Sequence, residues 1–296
     1  MRICVILNPA ARGEKAKLLR ASLPNLDGQC ALKLTHGPGT GRILAAEAVR
    51  EGFETIGAAG GDGTVNEVLN GIGDIPDGFE RARLGVLPAG TVNVFAREIG
   101  LPMEVRAAWK AVIGGREISI DLPQVEFVSQ GRNECRHFIQ MAGAGWDARA
   151  AEAVDWNLKK RIGQYAYMVA GLKTLADKMP LITVTEGTKT FQGQLVIVGN
   201  GRFYGGPIPV FHQANNRDGL LDICVFPKIN LFVLLRYVLG YLSPHLFKRG
   251  SEIHFQSASF QLESKPPARL QLDGETIGDL PASCAVRRQA LRVVVP

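Results

Sequence analysis

The stretch "GAAGGDGTVNEVLNG", Gly57–Gly71, decides how this chain is read. Five of its fifteen residues are glycine. They join an apolar run, "ETIGAAG", to a run with helical spacing, "TVNEVLNGI", in which Val65, Val68, Leu69 and Ile72 fall on one face. A strand that enters a helix through glycines is the geometry of a phosphate loop, because backbone N–H groups can approach an anion and the helix N-terminus carries partial positive charge. Thr64 is placed to cap that helix. No Gly-Lys-Ser/Thr follows, and the G-x-G-x-x-G spacing is absent. Asp62, set between Gly61 and Gly63, would repel phosphate unless a divalent cation lies between them or a hydroxyl meets it. The plain alternative is a tight turn with a solvated Asp62.

Working outward, "LPAGTVN" (Leu87–Asn93) repeats the Gly-Thr-Val-Asn of Gly63–Asn66. Each copy follows a predicted strand and opens a predicted helix. "RICVILN" (Arg2–Asn8), "CALKLTH" (Cys30–His36) and "RLGVLP" (Arg83–Pro88) read as further strands, with helices at "GEKAKLLRASL", "GRILAAEAVREG" and "TVNVFAREIG". Strands alternating with helices specify a parallel sheet covered on both faces. Two glycine loops and "NPAARG" (Asn8–Gly13) would then share the C-terminal edge of that sheet, where ligands bind in open α/β folds.

Beyond about Asp121 the pattern changes. "QVEFVS", "RHFIQMAG", "LITVTEG", "TFQGQLVIVGN", "LLDICVFP", "EIHFQSASFQLES" and "ARLQLDGE" are strand-like segments, many alternating polar with apolar. Two helical stretches interrupt them, "AVDWNLKKRIGQYAYMVAGLKTLADK" and "NLFVLLRYVLGYL". The expected organisation is an α/β nucleotide-binding domain with a parallel sheet over residues 1–122 and an antiparallel β-sandwich-like domain over 123–296. The last strand, "LRVVVP", is a candidate to return to the first domain.

Charge separates the same two parts. Residues 1–122 hold 14 Lys/Arg and 14 Asp/Glu, so the whole formal charge of +6 lies beyond them. A basic part can face anionic lipid, and no basic–aromatic interleaving favours nucleic acid. The longest apolar run, Leu231–Leu242, is broken by Arg236 and is shorter than the ~20 residues of a membrane span. The N-terminal run is too short for a signal peptide. Cys4, Cys30, Cys135, Cys224 and Cys284 are scattered, without C-x-x-C pairs, which points to a reducing compartment. The histidines lack metal spacing. Lys159–Arg161 opens a helical stretch beside Ile162, Tyr165, Tyr167 and Met168, a solvated face or a membrane-surface contact.

"GGDGTVNEVLNG", "LPAGTVNVFA", "NPAARG", "DGLLD" (Asp218–Asp222) and "LDGE" (Leu272–Glu275) together resemble the diacylglycerol kinase catalytic-domain family, which includes sphingosine kinases and soluble bacterial lipid kinases. "GGDGT" alone is shared with NAD kinases and phosphofructokinases; the full ordered set is far more specific. The resemblance implies a nucleotide domain followed by a β-sandwich-like domain, with the active site in the cleft between them. It implies transfer of the γ-phosphoryl of ATP to a lipid hydroxyl, with Mg2+. By the resemblance, Asn8, Pro9, Ala10, Ala11, Arg12, Thr35, Gly61, Asp62, Gly63, Thr64, Val65, Asn66, Glu67 and Thr91 contact ATP. Asp62 lies nearest the phosphates and magnesium. Glu275 is the expected proton acceptor, with Asp273 and Asp62 as the other candidates. Asn215, Asp218 and Leu220 form a separate, non-catalytic magnesium site through one carboxylate and two carbonyls; a turn stabilised by Asp218 is the alternative.

Several positions depart from the family. Gly39-Thr40-Gly41 stands where Gly-Asp-Ala is common, "NPAARG" lacks Ser-Gly, and Pro207 and Phe211-His212 alter "GNGRFYGGPIPVFHQA" (Gly199–Ala214). The expectation is a cytoplasmic lipid kinase that meets an anionic membrane surface peripherally, with a homodimer left open. Its rivals are a soluble-nucleotide kinase resembling NAD kinase, and a nucleotide- or lipid-binding regulator without turnover.

Overall fold

Residues 2–10, 30–129, 131–153, 170–171, 173–174, 179–206, 208–233, 235–236 and 250–296 are described by a computed structural model. The helix expected at "GEKAKLLRASL", most of the one at residues 153–178 and the end of the one at 230–242 lie outside the described residues, as do Ala11, Arg12, the Lys159–Arg161 cluster and Pro207. The chain divides into two units. The first comprises residues 1–122, 137–139 and 287–296, and the second 123–136 and 140–286.

In the first unit Ile3–Leu7 (β1) is buried along its whole length and runs parallel to Ala31–Leu34 (β2) on one side and Thr55–Gly60 (β3) on the other. Its alternation sorts the core. Cys4 and Ile6 pack with residues of Thr40–Arg50 (α1) and Asp62–Gly73 (α2), whose Val65, Val68, Leu69 and Ile72 are all buried. Ile3, Val5 and Leu7 face the opposite way. After Gly78–Arg81 (α3) comes Arg83–Pro88 (β4), parallel to β3 along its full length. Val94–Glu98 (α4) follows, then Val105–Gly114 (α5), a helix absent from the reading of the sequence. Glu104 caps α5 by accepting from the Arg106 and Ala107 amides at 2.9 and 2.8 Å. Val105, Ala108, Trp109 and Val112 of α5 cover the Ile3–Val5–Leu7 face. Helices on both faces explain why the strands read as continuous apolar runs. Residues 287–296 close this unit: Val293 pairs in parallel with Leu84, and the Gln289 amide donates to buried Asp121 at 2.7 Å.

The second unit is antiparallel. Arg116–Ser129 (β5) leads into it and pairs with Arg132–His137 (β6). Met141–Gly145 (β7) is followed by Trp146–Glu152 (α6), Ile182–Glu186 (β8), Lys189–Gly193 (β9), Leu195–Gly199 (β10) and Leu221–Phe226 (β11). Ile253–Ser257 (β12), Ser259–Ser264 (β13), Arg269–Leu272 (β14) and Glu275–Val295 (β15) complete the chain. One set of strands runs in the order β12, β11, β10, β7, β14; another runs β9, β8, β13. β15 serves both, pairing with β14 near Glu275–Asp279 and with β13 at Ala282–Ala285.

Two segments expected as single strands are each cut in two, "TFQGQLVIVGN" at Gln194 and "EIHFQSASFQLES" at Ala258. In each case the halves join different sets of strands. The cuts are bonded in place: Gln194 N donates to Phe226 O at 2.9 Å, and the Ser257 hydroxyl to Ser259 O at 2.8 Å. Stacking of Phe191 on Phe255, with ring centroids 4.5 Å apart, ties β9 to β12.

Candidate active site

The glycine loops sit at the C-terminal ends of adjacent parallel strands and hold each other. β3 ends at Gly60, whose carbonyl accepts from the amides of Ala89 and Gly90 at 2.9 and 3.2 Å. A methyl group on Gly90 would overlap the Gly61 Cα, and one on Gly60 would overlap the Thr64 hydroxyl. Gly90 and Gly60 are therefore needed for close approach of backbone to backbone and backbone to side chain. Asp62 opens α2, with Gly61 as its extended N-cap, and the first intrahelical bond runs from Val65 N to Gly61 O at 3.1 Å. Amides that precede such a bond have no helical acceptor and suit an anion. One carboxylate oxygen of Asp62 accepts from the Phe95 amide at 3.3 Å, so Asp62 also joins the two loops.

The two Gly-Thr-Val-Asn copies adopt different conformations. Gly63–Asn66 lies inside α2, so Thr64 does not cap the helix; its hydroxyl is instead 3.4 Å from the Asn8 side-chain amide. In the second copy Asn93 is left-handed (φ 53°) and precedes α4. Its side chain accepts from Gly90 N at 2.9 Å and donates to Gly90 O at 2.8 Å, closing the loop on itself. Asn readily adopts this conformation, which is why the repeat can start a helix in one place and end a turn in the other. Thr91 is exposed at the tip of that turn.

The other predicted nucleotide contacts divide. Asn8 N bonds Ala59 O at 3.0 Å, and its side chain accepts from Ala10 N at 2.9 Å, shaping the turn that carries Pro9. Buried Thr35 extends the sheet edge through a 2.9 Å bond to Leu7 O. Val65 is core. The Asn66 side-chain amide donates to His137 O at 3.2 Å alongside Asn70, a residue that sequence reasoning missed. Glu67 places both carboxylate oxygens on the loop before α1, accepting from Gly39 N at 2.7 Å and Gly41 N at 2.8 Å.

In the second unit "LDGE" forms the turn between β14 and β15, and its two acids have opposite surroundings. Asp273 is buried and left-handed (φ 48°), and one of its oxygens accepts from both Gln140 N and Met141 N at 3.0 Å. Its own amide returns a bond to Met141 O at 2.8 Å. Glu275 is exposed. Between them, Gly274 N donates to the buried Gln271 side chain at 2.7 Å, and Gln271 donates to the Tyr204 hydroxyl at 3.0 Å. Neither Gln271 nor Tyr204 was predicted. Gln271 lies in the strand just before the motif, where a buried polar residue must find a partner.

Asn215, Asp218 and Leu220 share one turn. Asp218 accepts from Leu220 N at 2.9 Å, and its amide is 3.4 Å from Asn215 O. Burial, and then the nearby Asp218, push the Asp222 carboxyl above its usual range, against a hydrogen bond from Gln256 that lowers it. Oxygen donors on a tight turn suit a hard cation. Among the described residues no group of three or more His, Cys, Asp or Glu side chains could enclose a metal. Phe211 and His212 line a cavity of about 280 Å³ with Val210, Asp222 and Phe255.

Comparison with known proteins finds two family models on the chain. Residues 2–125 match the family described as diacylglycerol kinase catalytic domain, and residues 140–295 the YegS C-terminal NAD kinase beta sandwich-like domain. The chain is similar to the diacylglycerol kinase of Bacillus subtilis (strain 168), at 31% identity over 90% of this chain and 84% of that protein. It is also similar to the diacylglycerol kinase of Staphylococcus saprophyticus, at 28% identity over 100% of this chain and 95% of the relative. A crystal structure of a diacylglycerol kinase from Bacillus anthracis superposes with a TM-score of 0.78 at 22% identity, covering 100% of this chain and 97% of that one, and shares its fold.

Proposed function

We propose, from the premise that the chain belongs to the diacylglycerol kinase family of lipid kinases, that it uses ATP and magnesium to phosphorylate the hydroxyl of a membrane lipid. The observation that carries the nucleotide half is the interlocking of Gly60–Thr64 with Ala89–Asn93 at the ends of two parallel strands. Such loops bind phosphate with backbone amides and a helix terminus rather than with a dedicated lysine.

The residues fit magnesium. The ion keeps strict oxygen coordination and is held by one or two carboxylates together with substrate phosphates, so a single acid at a phosphate loop, Asp62, suits it better than an all-protein cage. When bound, magnesium neutralises charge on the phosphates. Asp62 also keeps the two loops in register through Phe95 N. Asn215, Asp218 and Leu220 would supply a second, structural site.

For the acceptor side, Glu275 is the better base of the two acids in its turn. It is exposed, so it can reach a substrate hydroxyl and accept its proton as phosphoryl transfer proceeds. Asp273 already spends a buried oxygen on two amides and acts by holding the turn.

Contact with the bilayer is supported by Leu231, Phe232 and Leu235, exposed by 51, 74 and 49% on residues with helical conformation. Ile229 and Val233, by contrast, pack into the core of the second unit. Asn230 caps the start of this element, and Arg236 pairs with Glu252 at 2.5 Å. Among the described residues no helix is long and apolar enough to cross a membrane. The test is transfer of label from ATP to a lipid in mixed micelles by wild type, and its loss in Asp62→Ala and Glu275→Gln.

A further inference from the structure

We propose that Glu67 is a positioning residue for the nucleotide, acting through the loop before α1 rather than by touching ATP. Its two oxygens are committed to backbone amides, Gly39 N at 2.7 Å and Gly41 N at 2.8 Å. These are amides at the N-terminus of α1, which has no side-chain cap of its own, so a carboxylate from the neighbouring helix takes the place of one. Gly41 is shaped to admit it: a Cβ there would stand 2.5 Å from Glu67 Oε2. Gly39, with φ 80°, supplies the left-handed turn that aims its amide at Oε1.

The contact belongs to a longer seam. Glu67, Gly71 and Asp74 stand at i, i+4 and i+7 along α2 and its C-cap, the spacing of one helical face. Gly71 packs so close to the Arg42 carbonyl and Ala45 that no side chain fits, and Asp74 receives a two-pronged bond from Arg42 at 2.5 and 2.6 Å. The loop itself is stiffened by Thr40, whose hydroxyl donates to Gly37 O at 2.5 Å and accepts from His36 N and Gly37 N. This loop immediately follows Thr35, and α2 begins at the phosphate-binding glycines. Glu67 therefore sets the spacing between two nucleotide-facing segments. It also fills the N-terminus of α1 with an internal anion, which leaves the N-terminus of α2 as the place for phosphate. Gly39-Thr40-Gly41, unusual beside the family's Gly-Asp-Ala, supplies the two amides and the open space that this carboxylate occupies.

The inference rests on the nucleotide reading given above, and it has a test that separates the two. Glu67→Ala, Gly41→Ala and the double variant are compared with wild type by hydrogen exchange at Gly39 and Gly41, by binding of a non-hydrolysable ATP analogue, and by steady-state kinetics. Glu67→Ala should expose both amides to exchange in the ligand-free protein and weaken the analogue about tenfold, the effect of losing two charge-assisted bonds that order the loop. The KM for ATP should rise likewise, with kcat and the lipid KM within about twofold. Gly41→Ala should copy this, because its methyl displaces the carboxylate, yet cost little when added to Glu67→Ala, where the space is open. Unchanged exchange at Gly39 and Gly41, unchanged analogue affinity in Glu67→Ala, or a Gly41→Ala penalty of the same size in both backgrounds overturns the proposal. Wild type that protects both amides but binds no analogue also overturns it as a nucleotide-positioning device, and marks the fault as lying in the kinase reading rather than in the contact.

Discussion

Removing Asp273 should damage the fold, whereas removing Glu275 should damage only the reaction. Asp273→Ala strips the acceptor from Gln140 N and Met141 N, both held at 3.0 Å within the second unit. Each buried amide left without a partner costs about 1–3 kcal/mol, so the pair should cost roughly 2–6 kcal/mol. Alanine adds about 1 kcal/mol of backbone strain at a left-handed position. Asp273→Asn keeps an oxygen for both amides and tolerates the left-handed backbone, so it should lose only about 1–2 kcal/mol. Glu275 is exposed, and Glu275→Gln should stay within about 0.5 kcal/mol of wild type while abolishing transfer. The assay is urea denaturation of each variant, with exchange at Gln140 and Met141 as the local probe, run beside label transfer to lipid. If Asp273→Ala unfolds at the wild-type urea concentration, the buried clamp is wrong. If Glu275→Gln retains most of its activity while Asp273→Asn is stable and inactive, the roles of the two acids are reversed.

Other outcomes follow from the same structure. Gly90→Ala should cost about 1–3 kcal/mol and weaken ATP binding, since its methyl meets the Gly61 backbone; thermal denaturation with and without nucleotide measures both. At pH 8 a thiol reagent should modify exposed Cys135 quickly and leave Cys4 and Cys284 untouched until unfolding. Burial pushes both of those thiols up to about 12, so only about one in ten thousand is thiolate at that pH. Joint replacement of Leu231, Phe232 and Leu235 by Ser should cut sedimentation with phosphatidylglycerol-containing vesicles at least about tenfold, each side chain being worth roughly 1.5–3 kcal/mol when buried. Turnover of a short-chain, water-soluble lipid should be preserved, and vesicle binding equal to wild type would rule this surface out.

Much of the first unit is legible in the sequence because its strands are buried on both faces. Ile3–Leu7, Thr55–Gly60 and Arg83–Pro88 are apolar runs that fit little else. The family was legible because five motifs occur in order. Most of what was not legible depends on partners distant in sequence. Asp273 looks like a solvated turn residue until Gln140 and Met141, at the start of β7, supply two amides 133 and 132 positions away. The two Gly-Thr-Val-Asn copies look alike, and only the Asn93–Gly90 bonds make one of them a turn. Glu67 is expected, by resemblance, to contact ATP, and nothing local in the sequence ties it to Gly39 and Gly41. The division of single apolar segments at Gln194 and Ala258 escapes pattern reading because both halves keep strand periodicity and change only their partners.

Incubating the protein with γ-labelled ATP, magnesium and a total bacterial lipid extract, then identifying labelled products by mass, tests the central claim most directly. The expected result is a lipid product heavier by one phosphate, dependent on Asp62 and Glu275, with no label transferred when NAD replaces the lipid. Label appearing in NAD and in no lipid, or ATP bound without transfer to any lipid alcohol, would contradict it.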